Sequence, residues 1–496
     1  MTKQRFTNLD TMFLRLDNPV DPMIVTGVMV LGAPIDLEQL KATIETRLLR
    51  IGRFRQRVVP SRLPWRTPYW QDDPGLDLDY HVRRVTLPPP GDQAALQRTV
   101  SQLAGTLLDM ARPPWQVLLV EAYGPGCALI CRMHHSLADG VALIHVLLSL
   151  ADTAAEDSKS GTEHKYSQHG PDVIRRSPPR IRRPHVRRFV RRGLQTLGHL
   201  QHIPELAQLG RDAIADVVDI VLLPPETDTA LRGAPSLPKR IAWSGPVPLD
   251  DIKTIGRRLG GTVNDVLLTA LAGALRRYLQ ARQDLPAEVS LHAVMPVNRR
   301  PTGAEMELGN RIGGVFLSLP VDVADPTERL AELKRRMDAL KDSLQPALVN
   351  AALEVFSRVP STARTLAIGY LASRATVLVT NVKGPQERLY LAGAPVEEMM
   401  FWIPRYGGIG VGISILSYAG QVRLGVISDT DIVPDPENII AGFRDEFDQL
   451  LAQALETKQP RSIKELSAML DDALATLDEL IADRAQEHTS EHLQGG

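Results

Sequence analysis

The segment His134-His135-Ser136-Leu137-Ala138-Asp139-Gly140 combines residue types and spacing that can do chemistry. An imidazole titrates near neutral pH and acts as a general base once it is held in place. The run before it, residues 128–135, reads as a strand, and the run after it, residues 141–150, reads as a helix. His134 and His135 then close a strand, where period-two alternation sends them to opposite faces and one of them reaches a given site. His135 shares parity with Met133, Cys131 and Leu129. Asp139 falls near a helix N-terminus, where the macrodipole favours a carboxylate, and Gly140 lets the turn close tightly. Zinc is poorly served, because no carboxylate or third histidine stands at the H-E-x-x-H spacing. No G-x-S-x-G nucleophile motif appears, so covalent catalysis by an activated serine is not expected.

The elements that must position these residues alternate strand and helix. Residues 23–31 (MIVTGVMVL) are β-branched and bounded by Pro22, Gly32 and Pro34, as in a buried strand. Residues 36–49 have helical spacing, with Leu37, Leu40, Ile44 and Leu48 on one face and Asp36 as the cap. Residues 115–123 and 128–135 are strands joined by the turn Gly124-Pro125-Gly126. A second α/β set follows: a helix over 263–279 and strands over 291–296, 314–319, 375–382, 407–416 and 421–427. The run Gly407–Gly412 is not a dinucleotide fingerprint, since more strand and no helix follows it.

A chain of 496 residues with 44% hydrophobic and 23% charged residues is an ordinary globular composition, long enough for two large domains. The expected division is an N-terminal domain over 1–156, a basic crossing over 157–237, a C-terminal domain over 238–457, and an amphipathic helix with a disordered tail over 458–496. A formal net charge of −1 leaves only local electrostatic attraction. The strongest local charge is the run of nine arginines between Arg175 and Arg192, which contains no acidic residue. With Phe189 as its one aromatic and no nucleic-acid module in the chain, it does not point to nucleic acid. It reads either as a solvated linker or as a surface for anionic lipid. Cys127 and Cys131 lie too far apart along a strand to pair, and as buried thiols are compatible with a reducing cytosol. The N-terminus has no apolar signal region, and the longest apolar runs fall short of the roughly 20 residues of a span, so any membrane contact is expected to be peripheral.

HHSLADG resembles the signature of the chloramphenicol-acetyltransferase-like, coenzyme-A-dependent acyltransferases, which include peptide-synthetase condensation domains. Further blocks are similar to the bacterial wax ester synthase/diacylglycerol acyltransferase family: LDTMFLRLDNPVDPM at 9–23, ARPPWQ at 111–116, GGTVNDVLL at 260–268, MPVNRRP at 295–301, LGNRIG at 308–313, TNVKGPQERLYLAGAP at 380–395 and SYAG at 417–420. They are collinear over about residues 5–455. Pro114, Lys383 and Ser136 depart from the usual Leu, Pro and Ala, and the first and second of these bear on the acyl or acceptor channel.

The resemblance implies an α/β, two-domain chloramphenicol-acetyltransferase-like sandwich with the active site at the domain interface. It implies His135 as general base, His134 beside it, and Asp139 as an orienting residue that pairs with an arginine, Arg300 first and Arg299 next. Asn264 is either an N-cap or, with Asp265, a group facing substrate or oxyanion; Thr380, Asn381 and Gly384 are either a tight turn or part of the substrate channel. The expected partners are a long-chain acyl-CoA as substrate, diacylglycerol or a long-chain alcohol, and a membrane or lipid-inclusion surface; no cofactor or metal is expected. Two other functions stay open at this point: an acyltransferase acting on a polyketide or peptidyl carrier, and a non-catalytic lipid-droplet protein that keeps the fold.

Overall fold

The computed structural model describes residues 3–63, 66–154, 226–286, 288–298, 312–341, 343, 349 and 372–457. In the first half, β1 (Lys3–Arg5), α1 (Asn8–Leu16), β2 (Ile24–Leu31), α2 (Leu37–Thr43), β3 (Gln56–Val59), β4 (Tyr69–Asp72), α3 (Leu78–His81) and β5 (Val82–Val85) come first. They are followed by α4 (Gln93–Ala104), β6 (Trp115–Tyr123), β7 (Gly126–His134) and α5 (Gly140–Leu148). Asp36 caps α2 as expected, accepting from the Glu38 and Gln39 amides, but the α-helix stops at Thr43 and a π-turn over Ile44–Leu48 continues it.

The second half holds β8 (Lys239–Trp243), β9 (Val247–Pro248), α6 (Leu249–Leu259), α7 (Val263–Ala281), β10 (Leu291–Asn298), β11 (Ile312–Leu319) and α8 (Pro326–Lys341). Then come β12 (Val377–Lys383), β13 (Tyr390–Leu391), β14 (Ala394–Trp402), β15 (Val411–Tyr418), β16 (Gln421–Asp429) and α9 (Pro436–Glu456). Residues 407–410, expected as the start of a strand, instead form a turn, because Gly407 and Gly408 take φ of 69° and 90°, which no strand accommodates.

Two large sheets carry the molecule. One has the order β13-β14-β2-β7-β6-β5, the other β11-β10-β12-β15-β16-β8, with β9 beside β16. The sequence division is corrected in two places. The segment 390–402 leaves the second half and pairs β14 antiparallel to β2, Met399 opposite Met29 and Trp402 opposite Thr26. Residues from Glu226 onward are also part of the second unit: Leu231 is fully buried in its core, and the Glu226 carboxylate accepts from the His292 and Thr376 amides. The arginine run and residues 458–496 lie outside the described residues.

Period-two alternation in β2, β6 and β7 feeds two different cores. Val25, Met29, Val117, Leu119, Leu129, Cys131 and Met133 pack with α2 and α5, and this cluster continues into Leu378, Val382 and Ile403. Val28, Leu118, Val120, Ala128 and Ile130 pack with α4 and with Ile241, Trp243 and Ile427 of the second sheet. Both faces of the first sheet are therefore joined to the other half. Cys127 and Cys131 are free and buried, and burial pushes the Cys131 thiol up to about 12, which makes it an inert packing residue.

A buried ionic cluster also ties the halves. The Lys239 ammonium lies 2.9 Å from Asp21 and 2.7 Å from Asp429, and Asp429 also pairs with Arg405. Arg405 donates to the carbonyls of Ile409 at 3.1 Å and Gly410 at 2.6 Å.

Candidate active site

The HHSLADG segment is stitched to its surroundings through the backbone. The His134 amide donates to the Pro114 carbonyl at 2.9 Å and the His135 amide to the Met23 carbonyl at 2.7 Å. Proline at 114 costs nothing here, since the position is used through its carbonyl. β7 ends at His134, so His135 is the first residue of the turn rather than the last of the strand.

The two imidazoles diverge. His134 is fully buried; its Nδ1 accepts from the Ser136 amide at 3.1 Å and sits 2.8 Å from the Ser136 hydroxyl. An amide N–H can only donate, so Nδ1 carries a lone pair and the ring proton resides on Nε2, 3.6 Å from Asp17. Asp17 in turn accepts from the Met23 amide at 2.8 Å. His135 goes the other way, stacking on Phe13 with ring centroids 4.0 Å apart and lining a cavity with Phe13, Val294, Pro296, Leu378, Ile403 and Tyr406.

Asp139 is fully buried and caps α5, its carboxylate accepting from the Ala142 amide at 3.0 Å. Arg299 and Arg300, its expected partners, lie outside the described residues. Gly140 has a different reason from the expected tight turn. Its φ is not left-handed; a Cβ there would lie 2.8 Å from Ile403 Cγ2, a branched methyl that cannot swing aside. Gly140→Ala is expected to push Ile403 out of the cavity wall, at about 1–3 kcal/mol measured by denaturant unfolding, with a parallel loss of activity.

The second-half candidates separate. Thr262, not Asn264, is the N-cap of α7, and Asp265 closes a capping box by accepting from the Thr262 amide and hydroxyl, both at 2.8 Å. Asp265 thus holds the helix start, and it lines none of the cavities described below. Asn264 accepts from the Asn381 side chain across to β12. That pair borders two further cavities: one of ≈ 360 Å³ with Leu268, Met295, Pro296, Met337 and Val379, and one of ≈ 470 Å³ with Lys253, Lys383, Gln386 and Ser417. Pro296 is shared with the ≈ 70 Å³ cavity of His135, so the three are neighbours in series. Thr380 is buried on the β12 face of Leu378, its hydroxyl without a hydrogen-bond partner among the described residues. Gly384 has a backbone reason: a Cβ would lie 2.5 Å from the Ser417 carbonyl, to which its own amide donates at 2.8 Å.

Sequence reasoning missed Phe13 and Tyr406 as cavity walls. Phe13 stood inside a quoted family block without an assigned role; nothing in the residues around Tyr406 marked it.

Two α/β halves joined across a seam, with a histidine from an HHxxxDG segment in the seam, define a chloramphenicol-acetyltransferase-like acyltransferase. The wax ester synthase/diacylglycerol acyltransferase catalytic domain model matches residues 6–267, more than half the chain, and the C-terminal domain model of the same family matches residues 308–451. The chain belongs to that family and is an O-acyltransferase, which sets aside a non-catalytic coat protein.

Among its relatives, the Mycobacterium tuberculosis (strain H37Rv) protein named "Probable diacyglycerol O-acyltransferase tgs1" is 29% identical over 472 residues, covering 94% of this chain and 99% of that one. The wax ester synthase/diacylglycerol acyltransferase of Marinobacter aquaeolei VT8 superposes with a TM-score of 0.63 at 24% identity, covering 91% of this chain and 100% of that one. The first condensation domain of the CDA synthetase superposes with a TM-score of 0.56 at 16% identity, covering 92% and 97%. These two structural likenesses are of fold.

Proposed function

We propose that this enzyme transfers a long acyl chain from acyl-CoA to the free hydroxyl of diacylglycerol, or of a long-chain alcohol, with His135 as general base. The observation that carries this reading is the setting of His135. Among the described side chains lining its apolar cavity, it is the one able to accept a proton near neutral pH. His135 takes the acceptor hydroxyl proton as the oxygen attacks the thioester carbon. The tetrahedral oxyanion then collapses, the C–S bond breaks, and the CoA thiolate recovers the proton from His135. The Thr380 hydroxyl is our candidate donor to the oxyanion, and Asp139 fixes the helix start that follows the histidine.

The donor belongs on the second-half side. There the Asn264–Asn381 pair stands between an apolar cavity suited to an acyl chain and one where Lys253 and Lys383 suit the phosphates of CoA. The test is incubation with labelled palmitoyl-CoA and a panel of diacylglycerols, fatty alcohols and carrier-bound acceptors, with products separated by chromatography. Triacylglycerol or wax ester supports the reading; acylation of the carrier-bound acceptors alone contradicts it.

Such acceptors are nearly insoluble, so we further propose that the enzyme works on a membrane or lipid-inclusion surface through the arginines between 175 and 192. Among the described residues no helix is long and apolar enough to cross a membrane. Changing five of these arginines to Gln is expected to abolish salt-sensitive co-sedimentation with anionic vesicles. Binding unaltered by salt, lipid charge and substitution would make the run a linker.

A further inference from the structure

The cavity of His135 has two unlike ends. At one, Val294, Pro296 and Leu378 of the second sheet lead through Pro296 to the apolar cavity. At the other, Tyr406 packs beside Met12, Phe13 and Met23 of the opening helix and its following loop. Apart from His135, Tyr406 is the only lining residue with a polar side chain among the described residues. Its hydroxyl has no hydrogen-bond partner among the described residues. Burial pushes the phenol up, so it stays an O–H donor across the neutral range.

The loop that presents this ring is held firmly. Gly407 and Gly408 turn the chain directly after Tyr406, and the Arg405 guanidinium grips the Ile409 and Gly410 carbonyls while pairing with buried Asp429. A donor on an anchored loop, in an otherwise apolar wall, discriminates between substrates that differ by an acceptor oxygen, because the fitting one satisfies it and the other leaves it unpaired.

We infer that Tyr406 is a specificity-determining residue whose hydroxyl hydrogen-bonds an ester carbonyl of diacylglycerol, favouring it over a simple long-chain alcohol. The inference rests on the acyl-transfer reading above, with the donor on the Pro296 side and the acceptor on the Phe13 side. A 1,2-diacylglycerol carries two ester carbonyls near its free hydroxyl; hexadecanol carries none. The hydroxyl that reacts and the carbonyl that is recognised lie a few bonds apart, which fits both reaching one small cavity.

The test is a competition in mixed micelles: labelled palmitoyl-CoA with equal 1,2-diacylglycerol and hexadecanol, for the parent, Tyr406→Phe and His135→Ala. Phenylalanine keeps the ring and its packing and removes only the oxygen. The expected result is a product ratio of triacylglycerol to wax ester about tenfold lower in Tyr406→Phe, with wax ester formation within about twofold of the parent. A merely structural role lowers both products together. An unchanged ratio overturns the inference, whether both products fall, as for a donor to the oxyanion, or neither does. In that case the acyl-transfer reading survives if His135→Ala is inactive. A parent that makes neither ester overturns both.

Discussion

His135→Ala is expected to lower acyl transfer about a thousandfold, the scale of a lost general base, while leaving the melting transition close to that of the parent. Its backbone is fixed by the Met23 carbonyl, which the substitution leaves in place. His134→Ala is expected to do the reverse. It strips the acceptor from the buried Ser136 amide and hydroxyl and removes the imidazole that faces Asp17. A buried donor left without a partner costs about 1–3 kcal/mol, so stability should fall measurably and the turnover number more modestly. Paired kinetics and denaturant unfolding separate the two variants. Equal, near-complete rate losses with equal stability would contradict the assignment of one base and one support.

Lys239→Met is expected to destabilise the protein by about 3–5 kcal/mol, the usual cost of removing one partner from a buried ionic group. The ammonium is nearly inaccessible and bridges Asp21 from the opening loop to Asp429 of β16. Methionine keeps the apolar stem but leaves two buried carboxylates, of which only Asp429 keeps a cationic partner among the described residues, Arg405. Because the cluster spans the seam, the variant should also lose transfer activity below the concentration of urea that unfolds it. A midpoint within about 0.5 kcal/mol of the parent would show that water reaches the cluster and screens it.

The parts of this architecture that were legible in the sequence are those set by local pattern. Strands at 23–31 and 115–123 announced themselves by β-branched content and flanking turns; the two histidines do diverge, but His135 stands in the turn after β7, so its direction is set by that turn and not by strand parity. Three features were not legible, two for long-range reasons and one because two local roles ask for the same residue. β14 was not among the expected strands, and its pairing with β2, hundreds of residues earlier, is a long-range contact that no local pattern carries. Asp265 looked like a site residue because a capping box and a substrate contact ask for the same side chain at a helix start. Tyr406 acquires meaning only because Arg405 and two glycines fold its loop against the opening helix. Gly140 was marked by the motif, but its reason, the methyl of Ile403, comes from the crossing strand's end.

The central claim is direct transfer between two bound substrates with His135 moving the proton. The measurement that tests it most directly follows free CoA thiol and protein-bound label together, after mixing labelled palmitoyl-CoA with enzyme, with and without diacylglycerol. Direct transfer predicts thiol release that depends on diacylglycerol, equals the triacylglycerol formed, leaves no label on the protein, and vanishes in His135→Ala. A burst of thiol without acceptor, matched by label covalently held on the protein, would contradict it.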